Sequence, residues 1–381
     1  MNSKERVQAA IARRPVDRVP LGFYAVDHDT VERVIGHETY VRNKVKIQIA
    51  LWEGRRDEVA ESLKKDTVEF YRKIDCADLI LPKEAMLLPP RDYEPNPPRK
   101  IADNRWEDRE GRIFQAVPEA NDIQCVYDPT LGRHVFTVEE FAEEPITVTP
   151  PDPSVFEAFD YVLAEFSQER YVAGPTGGVT CLTLLGGMEH GLLMYVTQPE
   201  VIAAANRRSV VIQNQLDQYY IRPGVAGVLM EEDTGGTNGP LVSPKVFREL
   251  CFPYLKERVQ HVKRFAPQVI LHNCGHNIPL MPMFIECGID CYQSLQTNAG
   301  MEVGRLKEMF GGSLCFWGGV SVETLIHGTP EDVRREVRAA MARGAPGGGF
   351  ILGPSHSIAK NTKYDNFMAM LDEFVAWRDK F

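Results

Sequence analysis

Short apolar runs alternate with longer, helix-like segments along most of the 381-residue chain. The runs have the length and the β-branched or aromatic content of strands, and they lie at residues 19–24, 77–82, 170–175, 226–233, 268–275, 290–296, 314–320 and 350–356. Between the later runs, apolar residues recur at helical spacing. Since the strand–helix unit repeats eight times, the pattern predicts an α/β protein with a (β/α)8 TIM barrel fold and favours it over an open doubly wound sheet.

Helix-start signals support the helical segments between these runs. Ser243 precedes an amphipathic segment at 243–265, and Thr329 precedes another at 329–344. Both are followed by proline, which is common in the first turn of a helix. The chain also opens with a helical pattern, for which Ser3 is the predicted cap.

Residues 83–150 interrupt the alternation. They begin with a Pro-rich stretch, LLPPRDYEPNPPRK, and continue with a hairpin pattern around RWEDREGRIFQAV. We interpret this stretch as an insertion or rim segment. It belongs, on this interpretation, to one barrel domain that spans residues 1–381.

Composition and charge exclude several classes of protein. The net charge of -10 argues against nucleic-acid or anionic-membrane partners, because both require clustered basic charge. No stretch reaches the ~18 apolar residues of a membrane span, and the first residues lack a signal-peptide core, so we expect a cytoplasmic protein. The eight cysteines are scattered, which predicts reduced thiols rather than a disulfide framework.

Polar and metal-capable residues gather at the carboxyl ends of the later strands. In a barrel, this end carries the chemistry. The residues in question are Glu231, Glu232 and Asp233 on the fourth strand, His272, Cys274 and His276 on the fifth, Gln293 and Gln296 on the sixth, Trp317 on the seventh, and Ser355 and His356 on the eighth.

A His-x-Cys pair on a strand directs both side chains to one face, because strand side chains alternate. We therefore predict that His272 and Cys274, with His356 from a second strand tip, bind zinc and leave a fourth position open. His276 is expected in the following loop. The alternative is a buried histidine bonded to the backbone, with Cys274 packed as a small apolar residue.

Three consecutive acids end the fourth strand. We predict that Glu232 and Asp233 are catalytic, as proton-handling carboxylates, and that Glu231 contacts substrate. A surface or helix-start cluster of acids is the alternative. Three further residues are predicted to line the substrate pocket, with packing at the barrel ends as their alternative: Tyr24, Gln296 and Trp317.

Taken together, these motifs resemble the uroporphyrinogen decarboxylase superfamily, and within it the cobalamin-dependent methyltransferase-like branch. The resemblance implies a (β/α)8 barrel and a homodimer. It is carried by RPVDRVPLGFY (14–24), GGMEHGLLMYVTQPE (186–200), EEDTGGTNGPLVSPKVFRELCFPYLK (231–256), LHNCGHNIPLMPMFIECGID (271–290), FWGGVSVETLIHGTPEDV (316–333) and GGGFILGPSHSIAKNTKYDNFMAML (347–371).

Two departures from the superfamily patterns bear on function. Decarboxylases of porphyrinogens have paired arginines after the first strand, where this chain has Asp27, His28 and Asp29. The resemblance to the methyltransferase branch implies a zinc site formed by a His-x-Cys pair, matched by His272 and Cys274, and a Cys after strand eight. Here that position is His356, within Ser-His-Ser.

An imidazole in place of a thiolate leaves a zinc ion more positive and a better Lewis acid. We therefore predict a zinc-dependent methyltransferase that moves a methyl group between a small O- or N-methyl compound (or thiol) and a corrinoid. The chain lacks the D-x-H-x-x-G corrinoid-anchoring pattern. A partner protein is therefore expected to carry the corrinoid (methylcobalamin).

Two other functions stay open at this stage. One is a uroporphyrinogen-decarboxylase-like lyase for a smaller acid, in which Glu232 or Asp233 handles protons without metal. The other is a non-catalytic barrel that binds a tetrapyrrole or corrinoid. Metal content separates the methyltransferase from both alternatives.

Overall fold

The computed structural model describes residues 1–83, 87–142, 146–178 and 181–381. The strands of this part of the chain are β1 Leu79–Ile80, β2 Arg99–Ala102, β3 Arg105–Glu107, β4 Ile113–Val117, β5 Asp122–Tyr127, β6 Tyr171–Gly174, β7 Gly227–Glu231, β8 Val269–His272, β9 Cys291–Gln293, β10 Cys315–Val320 and β11 Phe350–Pro354. The α-helices are α1 Ser3–Ile11, α2 His28–Ile35, α3 Lys44–Trp52, α4 Arg56–Ile74, α5 Val138–Phe141, α6 Glu157–Phe166, α7 Met188–Thr197, α8 Pro199–Tyr220, α9 Pro244–Leu250, α10 Phe252–Val262, α11 Met281–Cys287, α12 Val303–Phe310, α13 Val322–His327, α14 Pro330–Gly344 and α15 Tyr364–Trp377.

A curled parallel sheet forms the wall of the barrel. Its strands follow the order β1-β6-β7-β8-β9-β10-β11, seven in the described residues. The segment at 20–22 lies between the two ends of this sheet: Leu21 bridges to Leu352 and Gly22 bridges to Leu79, both in parallel. The amide of Gly22 donates to the carbonyl of Leu352 at 3.0 Å. This short segment takes the eighth position, so the predicted (β/α)8 architecture is confirmed.

Two helix predictions need correction. The segment predicted as one helix at 243–265 contains two helices, α9 and α10, with a break at Cys251. Pro253 explains the break, because its ring has no N–H and clashes with the carbonyl four residues earlier. At the start of the chain, Asn2 rather than Ser3 caps α1: its side chain accepts from the Glu5 amide at 2.8 Å.

The other two caps agree with the sequence. Ser243 accepts from the Val246 amide at 3.2 Å, and Thr329 forms a reciprocal capping box with Asp332 at the start of α14. Such a cap contributes roughly 0.5–2 kcal/mol. No helix in the described ranges is both long and apolar enough to cross a lipid bilayer.

The inserted segment contains an antiparallel sheet of order β2-β3-β4-β5, and the hairpin predicted there corresponds to β3 and β4. Residues 84–86 and 143–145 of this segment lie outside the described residues. Lys44 forms an ion pair with Asp122 at 3.0 Å, and Lys360 donates to the carbonyl of Pro118 at 2.6 Å. Because Lys360 follows the last barrel strand, we propose that the segment forms a rim of the same domain.

The amino end of the barrel is covered by α1. Its Val7, Ala10 and Ile11 are fully buried and join the apolar cluster inside the barrel, which includes Tyr171 and Ile270. Burial of each large aliphatic side chain contributes about 1.5–3 kcal/mol. The carboxyl end of the barrel carries the polar strand tips.

Candidate active site at the carboxyl end of the barrel

Three of the predicted metal ligands meet at the carboxyl end of the barrel. His272 is the last residue of β8, Cys274 follows two residues later, and His356 lies two residues beyond β11. One ligand atom from each lies within 4.8 Å of the other two, and His272 Nε2 is 3.4 Å from Cys274 Sγ. The structure therefore brings together side chains that are some eighty residues apart in sequence.

Both histidines are neutral near pH 7. Burial lowers the pKa of His272. Burial, with the nearby His272 and Lys83, lowers the pKa of His356 to about 4. His272 Nδ1 contacts Gln293 Oε1, and since Oε1 is an acceptor, Nδ1 carries the hydrogen and Nε2 keeps a free lone pair. This is the tautomer that a metal ligand needs.

Cys274 is a protonated thiol in this environment. Burial and the negative charge of Asp233 raise its pKa to about 12. Its amide donates to Asp233 Oδ1 at 2.8 Å, and its Sγ is 3.3 Å from Ser294 Oγ. A bound dication favours the thiolate over the thiol. Two neutral imidazoles and one thiol are a donor set that fits zinc with one open position.

A buried hydrogen-bond network fixes the turn that carries Cys274. Thr234 donates its amide to Asn273 Oδ1 at 3.0 Å, and Asn277 Nδ2 donates to the carbonyl of Cys274 at 2.7 Å. Tyr292 donates its hydroxyl to the carbonyl of Asn273 at 2.6 Å. Because these partners are buried, a lost bond leaves an unsatisfied polar group that costs roughly 1–3 kcal/mol. The thiol is therefore held in place.

Tyr24 lies against both histidines. Its ring stacks on His272 with a centroid distance of 4.0 Å and an interplanar angle of 9°, and it meets His356 edge-on at 5.1 Å. Its hydroxyl donates to Glu231 Oε1 and accepts from Lys83 Nζ. Burial and the neighbouring Glu231 raise the pKa of Tyr24, so it stays a neutral phenol.

Glu231 and Lys83 form an ion pair at 2.7 Å beside this phenol. Burial acts to raise the pKa of Glu231, but the charge and hydrogen bond of Lys83 outweigh it and the pKa is lowered. Lys83 was missed in the sequence analysis. It directly follows the apolar run at 77–82, so the strand-tip rule applied to the second strand would have selected it.

The three consecutive acids diverge at the end of β7, whose last residue is Glu231. Glu231 contacts Tyr24, and Asp233 Oδ1 lies 3.9 Å from His272 Nε2. Glu232 Oε2 accepts instead from the Cys181 amide at 2.6 Å, and burial raises the pKa of Glu232 to about 7. Among the side-chain contacts of the described residues, none joins Glu232 to the three metal-ligand candidates.

The remaining predicted pocket residues, Gln296 and Trp317, form hydrogen bonds with the backbone. Gln296 accepts the Gly275 amide at 3.0 Å and so braces the turn after β8. Trp317 is completely buried, and its Nε1 donates to the carbonyl of Gly22 at 3.1 Å. This position of Trp317 matches the packing alternative. His276 contacts the carbonyl of Ala299 through Nδ1 at 2.7 Å.

Asp27 and Asp29, the acids that stand in place of the paired arginines, connect an early segment of the chain with a late one. Asp27 accepts from Arg42 Nε at 2.9 Å and from the Lys360 amide at 2.9 Å. Asp29 accepts the Asn361 amide at 2.7 Å. These carboxylates tie the segment after the first strand to the segment after the last.

The chain belongs to the uroporphyrinogen decarboxylase (URO-D) family, whose family model matches residues 122–377. The resemblance inferred from the sequence motifs is thereby confirmed. Comparison with solved structures gives the same fold: a methyltransferase from Methanosarcina mazei has a TM-score of 0.66 at 16% identity, over 99% of this chain and 99% of that chain.

Two curated relatives are similar over part of their length. A methylated-thiol–coenzyme M methyltransferase of Methanosarcina mazei is 28% identical over 130 residues, which are 34% of this chain and 32% of that protein. A uroporphyrinogen decarboxylase of Legionella pneumophila is 22% identical over 230 residues, 57% of this chain and 62% of that protein. The matches thus span less than two thirds of either relative.

Proposed function

We propose that the protein is a zinc-dependent methyltransferase that moves a methyl group between a small O- or N-methyl compound (or thiol) and a corrinoid carried by a partner protein. The observation that carries this proposal is the convergence of His272, Cys274 and His356 within 4.8 Å. They converge at the carboxyl end of the barrel, where enzymes of this architecture place their chemistry. The similarity to a methyltransferase of Methanosarcina mazei supports the reaction class.

In this proposal His272, Cys274 and His356 hold the zinc. When bound, zinc supplies positive charge at an open position, which polarises a heteroatom that carries a methyl group. Two neutral imidazoles and one thiolate offset less of that charge than a set with two thiolates. For this reason we favour an O- or N-methyl substrate, although the relative's name specifies methylated thiols.

The other residues of the site hold protons and position the substrate. Tyr24 is a neutral phenol between Lys83 and Glu231, so its hydroxyl is suited to hold a proton near the heteroatom that loses the methyl group. Asp233, 3.9 Å from His272 Nε2, is the acid that we propose for proton handling beside the metal ligands. The catalytic role of Glu232 stays a prediction.

The partner in this proposal is a small corrinoid-carrying protein that docks at the carboxyl end of the barrel. Since α1 covers the amino end, the methyl acceptor and donor must both approach from the carboxyl side. The homodimer that the resemblance implies stays a prediction.

Metal analysis tests the core of the proposal. We expect about one zinc per chain in the purified protein, lost in the double variant His272→Ala/Cys274→Ala. His276→Ala is the matched control: it removes a neighbouring histidine that contacts Ala299, and it should keep the zinc. A protein that remains metal-free after growth with added zinc would overturn the proposal and favour the lyase.

Methyl transfer is the second readout. Free cob(I)alamin serves as the acceptor, and its conversion to methylcobalamin is followed by absorbance. We expect transfer from methyl ethers with the zinc-loaded wild type. Equal rates with simple methylated thiols would contradict the expected preference for oxygen or nitrogen, and His356→Cys should shift the preference towards thiols.

A further inference from the structure

The segment after β11 reads Ser355-His356-Ser357, and its two serines have different hydrogen-bond partners. Ser355 Oγ accepts from the Val322 amide at 3.2 Å, whereas Ser357 Oγ lies 3.1 Å from His356 Nδ1. Both serines are buried. We propose that Ser357 is the positioning residue of His356, because it holds the hydrogen of the ring on Nδ1 and leaves Nε2 to the metal; this inference rests on the proposed function.

The need for such a residue follows from the chemistry of histidine. The neutral His356 ring carries one hydrogen, on one of its two nitrogens. Only the nitrogen without the hydrogen has a lone pair for a metal, and an acceptor at the other nitrogen fixes the ring in that tautomer. His272 has its acceptor in Gln293 Oε1. Ser357 Oγ is the corresponding acceptor for His356.

The contacts around the ring support this assignment. Among the described residues, His356 Nδ1 is the one hydrogen-bond partner of the Ser357 hydroxyl, so an oxygen lone pair is available to accept. The His356 ring also meets the rings of Tyr24 and His272 edge-on, at centroid distances of 5.1 and 5.2 Å, which limits its rotation. With Nδ1 bonded to Ser357, Nε2 is the nitrogen left for the metal.

The main chain holds Ser357 in place. The next residue, Ile358, donates its amide to the Ala25 carbonyl at 2.9 Å, and its carbonyl accepts from the Asp27 amide at 2.9 Å. These bonds attach the end of the segment to the chain that follows the first wall segment. The acceptor is therefore fixed before any metal binds.

Ser355 holds the backbone of the same segment rather than the ring. Besides the bond from Val322 to its hydroxyl, its own amide donates to the Val320 carbonyl at 2.6 Å. Val320 ends β10 and Val322 begins α13, so Ser355 attaches the segment to the neighbouring strand end. Loss of this hydroxyl should affect position 356 whichever side chain that position carries.

The role proposed for Ser357 depends on a histidine at position 356. A cysteine ligand loses its one hydrogen when it binds a metal, so it has no tautomer that an adjacent hydroxyl could fix. The effect of Ser357 should therefore disappear when His356 is replaced by cysteine, and this distinguishes positioning of the ring from general support of the turn.

A double-mutant cycle tests the assignment. The dissociation constant for zinc is measured on the full-length protein by competition with a chromophoric chelator. Ser357→Ala should weaken zinc binding about 10–100-fold when His356 is present. In the His356→Cys background, the same change should leave the affinity within about twofold.

Ser355→Ala is the matched control, because it removes a buried hydroxyl from the same segment. Its effect on zinc affinity acts through the backbone and should be equal in the two backgrounds. Circular dichroism shows whether each variant is folded.

The ring nitrogens of His356 give a second measurement that does not depend on affinity. Long-range proton–nitrogen NMR spectra of the zinc-loaded wild type show which nitrogen carries the hydrogen and which one binds the metal. We expect the hydrogen on Nδ1 and the zinc on Nε2.

Three results would overturn the inference: unchanged zinc affinity in Ser357→Ala, an equal loss in the His356 and His356→Cys backgrounds, or a zinc-loaded wild type with its hydrogen on Nε2. Any of these results in a protein that binds zinc leaves the proposed function standing. A wild type that binds no zinc overturns the proposed function as well. Coupling between positions 356 and 357 without methyl transfer to cobalamin removes only the methyltransferase.

Discussion

His272 depends on a neighbouring strand for its suitability as a metal ligand. Gln293, on β9, accepts from His272 Nδ1 through Oε1, while its own Nε2 is buried with no hydrogen-bond partner among the described residues. Of the two polar atoms of the Gln293 amide, only Oε1 therefore forms a hydrogen bond among the described residues. This hydrogen bond fixes the ring of His272 so that His272 Nε2 faces Cys274.

From this contact we predict the behaviour of two variants at position 293. Gln293→Leu removes the acceptor, frees the ring and should lower zinc affinity about 10–100-fold. Gln293→Glu keeps an acceptor at the same place, so its affinity should equal or exceed that of the wild type. Competition with a chromophoric chelator measures both. Equal loss of affinity in the two variants would show that the ring is oriented by something else.

At the scale of residues, the sequence predicted those site residues whose positions follow from the alternation of strand side chains and from the ends of strands. His272, Cys274 and His356 were selected in this way, and the structure brings them together. Glu232 follows the last residue of β7, and its direction is set by its contact with the Cys181 amide, which no local pattern predicts. The partnership of Lys83 with Glu231 depends on strands far apart in sequence, and no local pattern predicts such a pair.

At the scale of elements, one carboxylate joins the helices α4 and α6. Glu157 accepts from Arg91 Nη2 at 2.6 Å and from Lys64 Nζ at 3.0 Å, and it also contacts Arg56. The hydrogen bond from Arg91, with those from Arg56 and Lys64, lowers the pKa of Glu157 to about 2, although partial burial acts in the opposite direction.

This ion cluster predicts a pH dependence of stability. The pKa of Glu157 in the folded state lies below its ordinary value of 4.5, so the unfolded chain binds more protons in this range and stability falls as the pH falls. The contribution is complete above about pH 5 and is lost as the pH decreases through 4.5 towards 2. Glu157→Gln should therefore cost about 1–2 kcal/mol at pH 7, allowing for screening at exposed Arg91.

Denaturant unfolding at several pH values between 7 and 3 checks this expectation. The difference between wild type and Glu157→Gln should narrow below about pH 4.5. Glu94→Gln, at an exposed position, is the control and should change stability by less than about 0.5 kcal/mol. A difference that stays constant down to pH 3 would contradict the assignment.

The elements themselves were largely predictable, because each has a local cause. Each of the eight apolar runs contributes a strand, or at 20–22 a bridged segment, to the barrel wall, and Ser243 and Thr329 cap the helices α9 and α14. The division of the 243–265 segment was available in the sequence too, since Pro253 excludes a continuous helix. The short length of the segment at 20–22 could not be predicted from the sequence, because its bridges to Leu79 and Leu352 are set by the closed sheet.

At the scale of the whole molecule, a completely buried ion pair connects helices α8 and α10 with the turn after β6. Arg258 Nη1 lies 2.6 Å from Asp217 Oδ2, and neither side chain is exposed. Asp217 also accepts the Gly177 amide at 2.8 Å, and Arg258 Nη2 donates to the carbonyl of Gly178 at 2.8 Å. The ion pair, which lies on two helices outside the barrel wall, thus fixes the turn after β6 at the carboxyl end of the barrel.

Removal of one partner should be strongly destabilising. Asp217→Asn leaves the guanidinium of Arg258 buried and uncompensated, for which we expect a loss of about 3–5 kcal/mol. Asp160→Asn is the control, because its pair with Arg222 at 2.8 Å is partly exposed and should contribute about 0–1 kcal/mol. Urea unfolding followed by circular dichroism compares them. A similar small loss in both would show that water reaches Asp217.

The closure of the barrel by its first segment has a consequence for biosynthesis. Asp27 and its partner Lys360 are 333 residues apart in sequence, and the same long separation applies to the bridge between Leu21 and Leu352. At about 5–20 residues per second, a ribosome needs roughly 15–70 s to synthesise the intervening chain. During that interval the segment at 20–22 has an unpaired strand edge. Because unpaired strand edges are prone to aggregation, we expect chaperones to bind the nascent chain until its last strand has been synthesised.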